Sequence, residues 1–220
     1  MDSVPTADSE DLTVVFIDLV RFTSLTEVHG DVAGADAAAA LTEVVKANSA
    51  DGVYLVKTLG DGVLLAARSP EDALKSAAAA VEGLHDLDRG IDARVGADQG
   101  PVLARDGDVF GSTVNLAARL ATLARPGRIV CTRPIVAGDV ALELAAVPLG
   151  ERPVRGFLAP VELFEIDPCD HDGAWIVDPV CGMRLAMEKV RDRRIGDAGE
   201  VGFCSSRCAE IYDASPEQFV

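Results

Sequence analysis

The first hundred residues predict an α+β fold, an α/β sandwich built on a mixed sheet, and three observations carry that expectation. Residues 12–18 are nearly all apolar, as in a strand covered on both faces. Two aliphatic runs, 53–56 and 63–66, flank Gly60-Asp61-Gly62, the pattern of two strands joined by a tight turn. Ala- and Leu-rich stretches with helical spacing of their apolar residues separate these strands from the next.

Taken in order, the strand over 12–18 ends in an acid, Asp18. Thr23 or Ser24 is placed to cap a short helix through Val28, and Gly30-Asp31 breaks it. A long helix is expected over 32–48, with Leu41, Val44 and Val45 as its apolar stripe. The hairpin follows. Ser69-Pro70-Glu71 then opens a helix to about residue 87, with a cap and a proline in its first turn. Residues 92–97 read as a strand, Gly100 as the start of a return segment, and Asp106-Gly107 as a hairpin turn. A helix over 113–123 is stopped by Arg125-Pro126-Gly127, and strands are expected over 128–132, 144–147 and 161–166. Strand, helix, strand, strand, helix, strand is the ferredoxin-like βαββαβ order. The polar, punctuated stretch after residue 167 marks a boundary. The chain therefore divides into an acidic segment (1–11), a main domain (12–167), a linker (168–175) and a small Cys-containing C-terminal module (176–220).

Composition bounds the function. At 220 residues there is room for one ordinary domain and a small module. Hydrophobic residues make up 49% and aromatics 5%, so the core must be assembled from many small Val, Leu, Ile and Ala contributions. A formal net charge of −16 argues against nonspecific nucleic-acid or anionic-membrane binding, though not against a nucleotide enzyme whose site brings metals and a few bases. The first eleven residues carry acids and no base, unlike a signal or transit peptide. No stretch approaches the roughly 18 apolar residues that span a bilayer. A cytoplasmic protein is expected.

Asp61 at the hairpin tip reads most plainly as a turn aspartate. Beside a second strand-end acid, Asp18, it gains another role: two adjacent carboxylates hold divalent metals for phosphate chemistry. Lys57 lies four residues ahead on the same hairpin. Three separated motifs, Phe16-Ile-Asp18-Leu-Val-Arg-Phe22-Thr23, Lys57-Thr-Leu-Gly60-Asp61-Gly and Asp108-Val-Phe-Gly111-Ser-Thr-Val-Asn115-Leu-Ala-Ala-Arg119-Leu, together resemble the catalytic domain of class III nucleotidyl cyclases. The resemblance covers roughly residues 11–167.

It implies a sandwich fold, sites at a dimer interface, and conversion of a nucleoside triphosphate to its 3′,5′-cyclic monophosphate with release of pyrophosphate. By that resemblance Asp18 and Asp61, with the Leu19 carbonyl, hold two Mg²⁺ or Mn²⁺ ions per site. The helix starting near Phe22 and Thr23 points free N–H groups at the triphosphate. Lys57 and Asp108 match the base-selecting pair, with donor and acceptor arranged for adenine rather than guanine, so ATP is the expected substrate. Asn115 and Arg119, four apart on one helix face, match the residues that orient the ribose and stabilise phosphoryl charge. Arg155 falls where a base often reaches the terminal phosphates. Pro101 departs from the pattern, replacing an arginine that one half of the heterodimeric cyclases offers to the phosphates. Since one chain carries every residue, the resemblance implies a homodimer with two shared active sites.

Of five cysteines, four lie in the last quarter of the chain, and without a secretory signal such a cluster reads as a metal or redox site. Asp178-Pro179-Val180-Cys181-Gly182-Met183 and Phe203-Cys204-Ser205-Ser206-Arg207-Cys208 resemble a YHS domain, close to the metal-sensing TRASH type. Cys181, Cys204 and Cys208 are spaced C-x22-C-x3-C, which places the last two one helical turn apart. Three thiolates suit Zn²⁺ or Cu⁺, with Asp178, His171 or Cys169 as fourth ligand, or an open position. Cys131 reads as a small core residue, His29 and His85 as caps or surface, and Trp175 as packing between domains.

Three functions compete: an adenylate cyclase modulated by its C-terminal module, a metal- or redox-sensing dimeric protein with a weak or inactive cyclase scaffold, and a guanylate cyclase.

Overall fold

The computed structural model describes residues 10–87, 90–169, 175–196 and 199–219. Residues 1–9 of the acidic N-terminal segment and 170–174 of the linker, His171 included, therefore lie outside the described residues. β1 (Glu10–Leu19) sits inside the main sheet, with Leu12, Val14, Val15 and Ile17 fully buried. It is followed by α1 (Phe22–His29), α2 (Asp31–Asn48), the hairpin β2 (Val53–Thr58) and β3 (Gly62–Ala67), and α3 (Pro70–Asp86). Next come β4 (Ala93–Arg105), β5 (Asp108–Phe110), α4 (Ser112–Leu123), β6 (Ile129–Thr132), α5 (Asp139–Glu143), β7 (Val147–Arg152) and β8 (Val161–Ile166). The sheet order is β2-β3-β1-β4-β6-β8-β7, with β5 paired to β4. All neighbours are antiparallel except β4 and β6. Its first four strands, β2-β3-β1-β4, have the ferredoxin-like order.

Alternation along the strands sorts side chains onto two faces. Val15, Ile17, Val63 and Leu65 pack with Leu41, Val45, Leu74 and Val81 of α2 and α3 in the larger core. Leu12, Val14, Tyr54, Leu64 and Ala66 face the other way, with Val102, Val109 and Ala117. On that second side α4 lies directly on β4. A Cβ built at Gly96 would come within 2.1 Å of the Ala117 carbonyl oxygen, so only glycine admits the helix this closely.

Four local expectations change. Neither Thr23 nor Ser24 caps α1; its N-cap is Arg21, in left-handed backbone at φ 53°, with no side-chain cap. No return begins at Gly100, because β4 runs unbroken for 13 residues, its length held by ten-residue pairing with β1. The strand expected over 144–147 starts only at Val147, since Asp139–Glu143 forms a short helix first. Cys204 and Cys208 do not share a helix: Ser205 caps α6, leaving Cys204 just outside it.

The C-terminal part comprises the hairpins β9 (Trp175–Val177) with β10 (Arg184–Ala186) and β11 (Asp192–Gly196) with β12 (Gly199–Phe203), then α6 (Ser206–Ala214). Val180, Cys181, Phe203, Cys208 and Ala209 form a small core that Val28 of α1 completes. The Arg184 N–H donates to the Gly90 carbonyl at 2.9 Å, and the Arg21 guanidinium donates to the Pro179 carbonyl. Trp175 stacks under Arg184, its ring centroid 4.5 Å from the guanidinium carbon, within the C-terminal part rather than only between domains. Among the described residues no helix is long and apolar enough to cross a membrane.

Candidate active site

The hairpin turn brings the two predicted carboxylates together. Gly60 takes φ 75°, the Leu59 N–H closes the turn on the Gly62 carbonyl at 2.7 Å, and the Leu19 N–H donates to the Asp61 carbonyl at 2.9 Å. Asp61 thus stands against the end of β1, where Asp18 pairs with Gly62 across the ladder. Burial pushes the Asp18 carboxyl up from its ordinary range, Arg94 pulls it down, and the neighbouring Asp61 adds to the rise.

Arg94 has no counterpart in the sequence reading. It faces Asp18 across the β1–β4 ladder and donates to one carboxylate oxygen from Nη2 at 2.7 Å and Nε at 3.0 Å. A guanidinium therefore occupies the cation side of Asp18. Two hard-oxygen carboxylates, half-buried and mutually repelling, with a cation already drawn to one of them, fit a divalent-metal site.

Lys57 and Asp108 also meet. Lys57 Nζ lies 2.6 Å from Asp108 Oδ2, and the Val109 N–H donates to the other carboxylate oxygen at 2.8 Å. Burial raises the Asp108 carboxyl, but Lys57 and that N–H together hold it below its usual range. A bulge makes the meeting possible. Leu55 pairs with Leu65 but Lys57 pairs with Leu64, so Val56 is an extra residue in β2. Lys57 is thereby turned from the α2 and α3 side to the side where β5 lies. The Asp106-Gly107 turn, with φ 54° and 78°, folds β5 back to present Asp108.

Asn115 and Arg119 are exposed on α4, and Arg119 makes no ion pair among the described residues. Phe22 and Thr23 begin α1. Arg155 is exposed on the β7–β8 connection, at the opposite edge of the sheet from β2. Within one chain these groups form separate clusters: no hydrogen bond joins the Lys57–Asp108 pair to Asp18 and Arg94.

The cysteines sort differently. Cys131 is fully buried, and burial lifts its thiol to about 12, as for an inert core residue. His85 is neither cap nor surface: its side chain is buried, with Nε2 3.0 Å from Asp92 and Nδ1 3.1 Å from Cys169 Sγ. Burial pushes Cys169 to about 11, so this chain of contacts ties the segment after β8 to α3 rather than arming a nucleophile. Cys169 is accordingly committed away from the other thiols. Asp178 is also excluded as a ligand. It is fully buried, accepting N–H groups of Val180 and Cys181 on one oxygen and of Cys204 on the other. It positions the cysteine loops instead.

A family model described as the adenylate and guanylate cyclase catalytic domain matches residues 4–164. An adenylate cyclase of Streptomyces coelicolor is 35% identical over 207 residues, 86% of this chain and 50% of that protein. A pH-sensitive adenylate cyclase of Mycobacterium tuberculosis is 32% identical over 171 residues, 74% and 42% of the two chains. An uncharacterized protein of the same organism is 37% identical over 155 residues, 69% and 40% respectively. The chain spans 40–50% of the length of these relatives. Among solved structures, adenylate cyclases from Trypanosoma brucei in their monomeric state superpose with a TM-score of 0.66 at 22% identity, covering 77% of this chain and 94% of theirs, a likeness of fold. An adenylate/guanylate cyclase/hydrolase from Silicibacter pomeroyi gives 0.60 at 25% identity, covering 75% and 100%.

Proposed function

The chain belongs to the adenylate and guanylate cyclase catalytic domain family, and on that footing we propose that it converts ATP to 3′,5′-cyclic AMP and pyrophosphate at the interface of a homodimer. The Lys57–Asp108 contact of 2.6 Å carries the choice of base. The ammonium donates to adenine N1 and the carboxylate accepts from the 6-amino group. Guanine presents a donor at N1 and a carbonyl at C6, and would meet the wrong partner at both.

Asp18 and Asp61, with the Leu19 carbonyl, hold Mg²⁺ or Mn²⁺, which when bound neutralises phosphate charge and makes the ribose 3′-hydroxyl a better nucleophile. Free N–H groups of Phe22 and Thr23 at the start of α1 face the triphosphate. Asn115 fixes the ribose, and Arg119 stabilises charge on the phosphoryl oxygens, a role worth on the order of 10²–10³ in rate for a preorganised donor. Arg155 reaches the terminal phosphates. The metal-binding acids come from one subunit and Lys57, Asp108, Asn115 and Arg119 from its partner. Support for pairing lies in the exposure of Asn115 and Arg119, and in Phe110 of β5 and Leu103 of β4, 49% and 41% exposed and paired across the two strands beside Asp108. The C-terminal residues form a YHS/TRASH-like module that modulates the cyclase.

Purified protein given ATP or GTP with Mn²⁺ or Mg²⁺ tests the reading directly. Cyclic AMP at the higher kcat/KM is expected. Preferential cyclic GTP would overturn the base assignment. A dimer that makes neither product would favour the second reading, a metal-sensing protein on a cyclase scaffold, which the thiol cluster at the C-terminal part supports.

A further inference from the structure

Four ligand atoms from distant parts of the chain converge at the C-terminal end of α1. The sulfurs of Cys181, Cys204 and Cys208 and a ring nitrogen of His29 all lie within 4.8 Å of one another. Cys204 Sγ is 3.6 Å from Cys181 Sγ, 3.5 Å from Cys208 Sγ and 3.5 Å from His29 Nε2. Zn–S bonds of about 2.3 Å and Zn–N bonds of about 2.0–2.1 Å set tetrahedral edges of roughly 3.5–3.8 Å. The three edges at Cys204 match that spacing.

We propose that His29, from the cyclase domain, is the fourth ligand of a Cys₃His zinc site, so that the ion joins α1 to the C-terminal module. The inference rests on reading the three cysteines as metal ligands and assigns the ligand that closes the site. The other candidates in view are spent: Asp178 on three backbone N–H groups, Cys169 on His85. The same Asp178 contacts hold the Cys181 and Cys204 loops in place, as carboxylates behind metal ligands do. His29 and Cys204 border a groove of about 530 Å³, together with Leu25, Ala33 and Met183, through which an ion reaches the site from solvent.

The position couples the site to the chemistry. The module already holds the front of α1, through Arg21 to the Pro179 carbonyl and through close packing of the Arg21 side chain on Gly182. His29 is the last residue of the same helix. Zinc would fasten its other end. α1 is the segment that follows Asp18 and aims N–H groups at the triphosphate, so occupancy of the zinc site sets how firmly that half of the active site is held.

Co²⁺ titration of the reduced, metal-free 220-residue chain tests this. One ion per chain is expected, with thiolate charge-transfer bands and the intense d–d bands of a tetrahedral site. His29→Gln, an exposed substitution, should weaken Co²⁺ binding tenfold or more and alter the d–d bands, while His29→Cys should restore tight tetrahedral binding. Wild type that binds no ion would overturn the cysteine reading itself. Wild type and His29→Gln with the same affinity and spectrum would overturn only the His29 assignment. ¹¹³Cd NMR gives a readout independent of folding losses: coupling from bound cadmium to the His29 imidazole nitrogen supports the ligand, and its absence from the loaded wild type refutes it.

Discussion

Arg94 reaches across from β4 to Asp18 with two hydrogen bonds, of 2.7 and 3.0 Å, to the same carboxylate oxygen. The carboxylate that would bind a metal therefore begins with a protein cation against it. Each ion that enters must compete with that guanidinium. Arg94→Ala should lower the Mn²⁺ concentration for half-maximal activity. A partly exposed ion pair is worth about 1 kcal/mol at most, so the shift should not exceed about fivefold. Activity against Mn²⁺ concentration, at saturating ATP, measures it. An unchanged curve would show that Arg94 yields at no cost.

Lys57→Glu with Asp108→Cys removes both groups of the base-selecting pair. ATP use should fall by at least tenfold in kcat/KM, with GTP use unchanged or improved, in a head-to-head assay. An intact ATP preference would mean the base is read elsewhere.

Asp18→Ala and Asn115→Ala should each be inactive alone. Mixed under conditions where subunits exchange, they should recover up to about a quarter of wild-type activity, through one intact site per heterodimer in a statistical mixture. No recovery from dimers shown to exchange would place all the groups in one subunit.

Gly96→Ala puts a methyl group where the Ala117 carbonyl and the Ala121 N–H already sit, each 2.1 Å away. Backbone cannot rotate aside as a side chain can. The substitution should cost at least about 1–3 kcal/mol and lift α4, with Asn115 and Arg119, from the sheet. Thermal melting and loss of activity together check this.

Asp98 is buried beside Thr132, whose hydroxyl donates to it at 2.6 Å, and burial raises its carboxyl above the ordinary range. An acid raised in the folded state contributes stability below its unfolded value and loses it as pH rises through the raised one. Asp98→Asn keeps an acceptor for Thr132 without the charge. Its melting temperature relative to wild type should therefore increase from pH 4 to pH 8. For a chain of this size about 2–4 °C corresponds to about 1 kcal/mol. A constant difference across that range would show that Asp98 is not the titrating group.

What could be read from the sequence was local. Gly60 and Gly62 mark the hairpin, and Pro70 after Ser69 marks the start of α3, where the Ser69 hydroxyl accepts the Asp72 N–H. The pairing of Lys57 with Asp108 was reachable because separated motifs named both. Arg94 was not, since its meeting with Asp18 depends on which residue of β4 faces which residue of β1, a register no single segment records. His29, exposed as read, was not legible as a neighbour of the thiols for a related reason. Alone at the end of an amphipathic helix it resembles a surface residue, and only the docking of a distant hairpin brings thiols to it. The C-terminal end of β4 was misjudged because Gly100-Pro101 looks like a break, whereas pairing with β1 carries the strand through.

The extra residue in β2 makes the proposed choice of base depend on counting as well as on chemistry. Were Val56 drawn into an unbroken ladder opposite Leu64, Lys57 would fall opposite Val63 and its ammonium would swing in among the methyl groups beneath α2 and α3, leaving Asp108 with nothing opposite it. A one-residue slip of register, touching no polar atom, would thus erase the proposed nucleobase pocket as completely as mutating the lysine itself.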